Sequence, residues 1–394
     1  MTRSPPSAAV AARGRDVPSP AAPLRLRDLD AVALAMPLPA AVRTPMGVVA
    51  DAVALLVRAT DDDGVVGWGE IWCQFPRFGM HHRARLLRDV FRPLAVGQAY
   101  GSPADLWKAL TTASDTLRLQ AGEPGPIAAV VAGIDIAAWD IAARRAGQPL
   151  WRWLGGAHGD VAVYASIGRG EPALERVGAC LADGVRAVKL RSTGGVDEHL
   201  AVVRPVRERH GTDFELMLDL NASWQPSCAV DGVAALAEAG LAWLEEPLPV
   251  DAPPVLWRRL AAAAPMKLAG GENMVTAAAF DAALDERVLG VLQPDPTKWG
   301  GFSGCVPLAA RIVAAGRRFC PHIFAGAPGV LAAAHLLAAS NAPDGLLEWP
   351  VSHNPARDAM LAAPLRAGRL DLGDAPGLGF DPDPALVARY RVDV

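Results

Sequence analysis

From about residue 160 onward the chain repeats a form rather than a sequence: short apolar runs alternate with alanine-rich stretches of helical composition. The runs are Val161–Ile167, Ala187–Leu190, Glu215–Leu218, Leu241–Leu244, Met266–Ala269, Val288–Leu292, Arg318–Cys320 and Leu346–Leu347. A strand that is apolar along its length is covered on both faces. Strands covered on both faces by the helices between them run parallel. Eight β-then-α units in succession predict an α/β fold, a closed (β/α)8 barrel.

Each run leads at once into polar residues. Lys189 and Arg191 follow the second, Asp219 and Asn221 the third, Glu245 and Glu246 the fourth, and Glu272 and Asn273 the fifth. Asp295 and Lys298 follow the sixth, His322 the seventh and Glu348 the eighth. Successive members of this series lie 23 to 30 residues apart. Ionisable residues recurring at strand C-termini converge on one face, and that face is where barrel enzymes keep their chemistry.

The first 150 residues follow a different plan. Val48–Thr60, the turn Asp61–Gly64 and Val65–Glu70 predict a hairpin. Met36–Met46, with three prolines, is expected to be a loop. Ile71–Met80 is an aromatic loop with Trp72, Phe75 and Phe78, suited to cover a barrel mouth as a lid. Helices are expected over His81–Val90, Pro103–Leu119 and Gly125–Arg145. The resulting division is a disordered tail over 1–25, an α+β unit over 26–155, the barrel over 156–350 and a C-terminal segment over 351–394.

Composition excludes several classes. Lys and Arg number 38 against 42 Asp and Glu, so nucleic acid finds no basic footprint. No apolar run reaches about 18 residues free of Gly, Pro and charge, so no membrane span is expected. Five dispersed cysteines without CxxC spacing argue for a reducing, cytoplasmic compartment and against a structural zinc site. Only four of the 38 cationic residues are lysines, and three of these fall at or near predicted strand ends.

Any one of Asp219, Glu245 and Glu272 is most simply a helix cap or an ion-pair partner. Three at the ends of consecutive strands repel one another, and a hard divalent cation relieves this; all-oxygen ligands suit Mg²⁺ or Mn²⁺. Asp295 and His322 end neighbouring strands, within reach of an Asp–His pair. Such a pair fixes the imidazole tautomer and raises its basicity. Lys189 and Arg191, at i and i+2 on one strand, face the same side. Lys298 serves either to position charge or to pair with carboxylates. Asn221 and Glu348 are candidates for substrate contact, and Glu246 is a supporting residue rather than a ligand. Gly300–Gly304 is a candidate anion site at a helix start. His81 and His82 are solvated or structural, with a lid contact to substrate as the alternative.

The ordered motifs GWGE (Gly67–Glu70), AGIDIAAWDIAARRAGQPLWRWLGG (Ala132–Gly156), VKLR, DLN, EEP, GEN, QPDPTKWGG and CPH resemble the mandelate racemase/muconate lactonizing enzyme branch of the enolase superfamily. The resemblance covers about residues 28–350. It implies a modified TIM-type barrel with an N-terminal α+β capping domain, Mg²⁺ held by Asp219, Glu245 and Glu272, and His322 with Asp295 as the base. It also implies Glu348 near a substrate carboxylate, and a homo-oligomer. The shared step is removal of the proton α to a carboxylate. Many members carry Lys-x-Lys after the second barrel strand; Arg191 replaces the second lysine here, and a guanidinium is a poor base.

With one good base, dehydration of a sugar acid is favoured over racemisation, which needs a base on each face. The expected activity is that of a carbon–oxygen lyase acting on a small carboxylate. The alternatives are a racemase or epimerase using Lys298 or Arg191 as second base, and a non-catalytic binding descendant of the scaffold.

Overall fold

The computed structural model describes residues 22–44, 47–76, 78–363 and 365–394. Residues 1–21 of the expected tail lie outside the described residues.

Strands β1 (Leu24–Thr44), β2 (Gly47–Asp61), β3 (Val66–Ile71) and β4 (Ala99–Tyr100) form an antiparallel sheet in the order β3-β2-β1-β4. The predicted hairpin is β2–β3. Its turn is closed by the Asp61 carboxylate, which accepts from Val65 N at 2.8 Å. The loop expected over Met36–Met46 is a correction: β1 runs through Pro37 and Pro39 as far as Thr44, and Pro45 and Met46 lie outside the described residues. Pairing with β2 jumps from Pro37–Asp51 to Val42–Val49, a bulge of four residues against one. The far edge of β1 is paired with β4 only at Leu24 and Arg25, so the missing proline N–H costs no ladder bond there.

The helix Pro124–Arg145 lies directly on β3. A Cβ on Gly67 would fall 2.3 Å from the Ala137 carbonyl oxygen, and one on Gly69 2.2 Å from that of Gly133. The GWGE motif is therefore a packing requirement. By length and composition this helix is apolar enough to cross a membrane, but 89% of its apolar 18-residue stretch is buried inside the fold as a core helix.

Eight strands follow: β5 (Asp160–Ile167), β6 (Ala187–Arg191), β7 (Glu215–Asp219), β8 (Trp243–Glu245), β9 (Lys267–Gly270), β10 (Val291–Leu292), β11 (Arg318–Phe319) and β12 (Leu347–Pro350). Each overlaps a predicted run. They are parallel, in chain order from β5 to β11, with β12 paired to β5. Among the described residues no ladder joins β11 to β12. Across that gap His322 and Glu348 approach to 3.8 Å. The strands β13 (Leu365–Arg366) and β14 (Arg369–Asp371) add to the first residues of β5, and the last residues reach β1, where Val392 N donates to Ala33 O at 3.0 Å.

Three buried carboxylates tie the first unit to the rest of the chain, Glu70 and Asp135 to the barrel and Asp140 to the C-terminal segment. Glu70 accepts from Gly326 N (2.7 Å) and Gly329 N (2.9 Å), at the start of the helix Ala327–Ser340. Asp140 accepts from Trp68 N and Leu378 N. Asp135 accepts from Phe302 N (2.7 Å), Ser303 N (3.0 Å) and the Ser303 hydroxyl (2.5 Å). This corrects the anion site expected at Gly300–Gly304: the helix start there is already capped by the protein's own Asp135. Because these donors are buried, Asp135→Ala is expected to cost roughly 2–4 kcal/mol, a lost cap plus donors left unpaired in a dry seam. Thermal or denaturant unfolding measures this, and a cost below about 0.5 kcal/mol would show the seam to be wet.

Candidate active site

The position of the site follows from strand alternation. Tyr164, Ala187, Met217, Trp243, Ala269 and Val291, one from each of six strands, and Cys320, just after β11, form a buried apolar layer inside the barrel, with Leu346 packed against it. Two residues further along each chain segment stand Ser166, Lys189, Asp219, Glu245, Gly271, Gln293, His322 and Glu348. Side chains on a strand repeat their direction every second residue, so an apolar plug is succeeded by a polar layer at the C-terminal mouth.

Lys189 is the hub of that layer. It is fully buried, and its ammonium lies against Glu245 Oε1, 3.0 Å from Glu348 Oε1 and 3.5 Å from Asp219 Oδ2. The Tyr164 ring lies below it, with Nζ 5.4 Å from the centroid. Burial opposes its charge, but Glu245, Glu348 and Asp219 overcome this and raise its pKa above the ordinary lysine value. Arg191 reaches the same acids, with Nε 3.4 Å from Asp219 Oδ2 and Nη2 3.3 Å from Glu348 Oε1. Its guanidinium is likewise held charged against burial, chiefly by Asp219 and Glu348.

The second oxygen of Glu245 is fixed by Gln293 Nε2 (2.7 Å) and Trp243 Nε1 (3.1 Å). Burial, with Asp219 and Glu348 adding to it against the pull of Lys189, pushes its carboxyl up to about 7. Glu348 goes the other way, to about 2, because Lys189, His322 and Arg191 outweigh its burial.

His322 and Asp295 form the expected pair, Nδ1 to Oδ2 at 2.8 Å. The other Asp295 oxygen accepts from Thr297 N (2.8 Å) and Thr297 Oγ1 (2.6 Å), which orients the carboxylate. Nε2 of His322 faces Glu272 Oε2 at 2.8 Å. Burial disfavours the imidazolium, but Glu272, Glu348 and the Asp295 hydrogen bond win and raise its pKa to about 10. Glu272 is burdened by burial yet held well below the usual carboxylate range by His322.

The remaining candidates sit at the rim. Asn221, at φ +44°, turns back on Asp219, its N donating to Oδ1 (2.9 Å) and Nδ2 to Oδ2 (3.2 Å). Lys298 donates to Asn273 Oδ1 at 2.8 Å. His82 pairs with Glu123 at 2.9 Å, and His81 is exposed. Ser166, Gln293, Trp243 and Thr297 were not singled out from sequence; counting in twos from the apolar layer identifies the first two.

Asp219 and Glu245 are register partners on β7 and β8, and Glu272 follows β9. Yet among the described residues no three His, Cys, Asp or Glu side chains surround one point closely enough to hold an ion. Lys189 lies against both Asp219 and Glu245, and Glu272 is drawn to His322. The donor set still suits a hard dication. Asp219, Glu245, Glu246, Glu272, Asp295 and Glu348 face Lys189, Arg191, Lys298 and His322, a surplus of two negative charges when all are ionised. That strain is visible at Glu246, raised well above its ordinary value by burial and by Glu272, Asp219 and Glu245.

Comparison with known proteins gives the same picture. A family model described as enolase C-terminal domain-like matches residues 173–386. The model of the mandelate racemase/muconate lactonizing enzyme N-terminal domain matches 28–155. The D-galactarolactone cycloisomerase of Agrobacterium fabrum is 30% identical over 358 residues, covering 86% of this chain and 91% of that protein. The D-galactonate dehydratase of Ralstonia nicotianae is 29% identical over 363 residues, covering 84% and 90%. A mandelate racemase/muconate lactonizing enzyme structure from Bordetella bronchiseptica RB50 superposes with a TM-score of 0.86 at 45% identity, covering 93% and 99%. A racemase from Streptomyces coelicolor A3(2), with bound magnesium, gives 0.81 at 27%, covering 93% and 100%. The chain belongs to the enolase superfamily, in its mandelate racemase/muconate lactonizing enzyme branch. Members of that superfamily use Mg²⁺.

Proposed function

We propose that this chain is a Mg²⁺-dependent acid-sugar dehydratase, a hydro-lyase acting on a polyhydroxy carboxylate. The observation that carries the reading is an asymmetry of bases. His322 is backed by Asp295, whereas Arg191, where many relatives have a lysine, is locked between Asp219 and Glu348 and stays protonated.

Asp219, Glu245 and Glu272 would hold the metal, whose charge stabilises the negative charge that develops on the substrate carboxylate; the same donors suit Mn²⁺. Release from Glu272 removes the chief charge that keeps the imidazole protonated, and in its neutral form His322 Nε2 takes the α-proton. The electron pair left on the α-carbon expels the β-hydroxyl, and the same imidazole returns the proton to it. One water leaves, and the enol tautomerises to a 2-keto-3-deoxy acid. Lys189 keeps a fixed positive charge beside the reacting carboxylate. Because one residue removes and returns the proton, the elimination is syn.

A second reading is favoured by the Agrobacterium relative, a cycloisomerase by name. There the leaving β-oxygen belongs to a ring of the substrate and stays attached, so mass is conserved. Incubating mono- and diacid sugars and their lactones with Mg²⁺ in D₂O separates the readings. A dehydratase loses one water and gains a semicarbazide-reactive ketone. A ring-opening isomerase gains the ketone at constant composition. Exchange of the α-proton with no ketone on any substrate would replace both with a racemase, and neither turnover nor exchange would favour a binding descendant. The free thiols of Cys73, Cys180, Cys305 and Cys320 accord with a cytoplasmic setting.

A further inference from the structure

Lys298 has no role in the chemistry above, yet its side chain is built into the site from two directions. Its ammonium donates to Asn273 Oδ1 at 2.8 Å and lies 4.6 Å from the centroid of the Trp72 ring. Asn273 in turn spends its amide hydrogens on two acids. Nδ2 is 2.9 and 3.1 Å from the two oxygens of Glu246 and 3.1 Å from Glu272 Oε1. An amide has one accepting and one donating end. With the ammonium on its oxygen, Asn273 must present N–H to the carboxylates; flipped, it would set oxygen against oxygen and N–H against ammonium. Lys298 therefore fixes the face that Asn273 shows to Glu272.

Trp72 belongs to the aromatic loop after β3, outside the barrel. Its backbone N donates to Thr297 O at 3.2 Å, one residue before Lys298. Beside it Phe75 stacks on Phe324, with centroids 6.5 Å apart and planes at 5°. The indole N–H is buried without an acceptor, so no polar bond from the ring fixes it. Two cations lie against that ring, Lys298 and, at 5.5 Å, Arg83. Cation–π contacts of this kind strengthen as water is excluded.

We propose that Lys298 and Asn273 form a relay that couples the seating of the Trp72 loop to the orientation of Glu272. Lys298 is then a positioning residue for metal loading and not a second base. The proposal rests on Glu272 being a metal ligand, as read above. Partners that orient a ligand typically change metal affinity 10–100-fold when removed.

The test is Mg²⁺ titration by calorimetry, without substrate, on the full-length chain. Charge alone and orientation predict opposite signs. Removing a cation beside an acidic site tightens Mg²⁺ binding if Lys298 acts only through its field, and weakens it if Lys298 holds Asn273 in place. Lys298→Met is expected to weaken Mg²⁺ roughly tenfold, with Lys298→Arg recovering most of the loss. Trp72→Ala, a change outside the barrel that leaves Lys298, Asn273 and Glu272 themselves unaltered, is expected to weaken Mg²⁺ several-fold. The double variant should be no worse than Lys298→Met, because both act through one path. Parental or tighter affinity in Lys298→Met overturns the relay, as does strict additivity with Trp72→Ala. Glu272→Gln distinguishes the failures: if it loses affinity while Lys298→Met does not, only the relay falls. If Glu272→Gln binds Mg²⁺ like the parent, the ligand reading falls and the relay with it.

Discussion

In the variant His322→Asn, both product formation and exchange of the substrate α-proton with D₂O are expected to vanish, a loss of about 10⁴-fold or more. General acid or base action is typically worth 10²–10⁴-fold, and here one imidazole serves in both directions. Asparagine keeps a hydrogen-bonding group near Asp295 but has no site that accepts a proton at neutral pH. Metal affinity should remain within a few-fold of the parent's, or tighten slightly, because the variant removes the imidazole 2.8 Å from Glu272 Oε2. This combination matters: a variant that lost activity by unfolding the barrel mouth would lose Mg²⁺ as well. Exchange retained without dehydration would leave another group as the base, and Lys298 would be the first to examine. Exchange lost together with metal binding would instead make His322 a structural tie between β11 and β12, which no ladder joins among the described residues.

The barrel was legible because its strands are buried on both faces. Mostly apolar runs such as Ala187–Leu190 and Glu215–Leu218 differ from their observed strands by a single residue. The site was legible for the same reason, since a strand-to-strand repeat of 23 to 30 residues delivers Asp219, Glu245 and His322 to one mouth. Strand ends were less so. The run Val288–Leu292 yields pairing only at Val291–Leu292, because Arg287 adopts a positive φ of 56° at the close of a helix and the chain re-enters the barrel late. What depended on contacts between the two units was not legible at all. Nothing local in GGFSG reveals that its helix start is filled by Asp135, some 167 residues away in the chain. Nor does the three-proline stretch show that, at Pro37 and Pro39, β1 has no ladder on the side away from β2 among the described residues, so that proline is tolerated there. The placement of Lys298 under Trp72 belongs to the same class. Each partner is ordinary in its own segment, and the relation exists only once the units pack.

The asymmetry of the carboxylates makes Glu245→Gln the second large test. Glu245 is gripped at both oxygens by buried groups, by Lys189 on one side and by Gln293 and Trp243 on the other. Glutamine keeps the shape but removes a negative charge and turns one oxygen into a donor. If that donor faces Gln293 and Trp243, three N–H groups crowd one spot; if it faces Lys189, it meets an ammonium. The buried lysine then retains Asp219 and Glu348 alone, and an ion would meet a site one charge poorer. Mg²⁺ affinity is expected to fall by on the order of 10²-fold, at least the cost of losing an orienting partner. Turnover should fall with it even at saturating Mg²⁺, because the disturbed contacts to Lys189, Gln293 and Trp243 misplace the groups that meet the substrate carboxylate. Calorimetric titration gives the first quantity and initial rates against Mg²⁺ concentration the second. Parental Mg²⁺ affinity would remove Glu245 from the ligand set and leave it as the counter-ion of Lys189. Weakened affinity with full turnover at saturating metal would keep it as a ligand but deny that its contacts position the reacting groups.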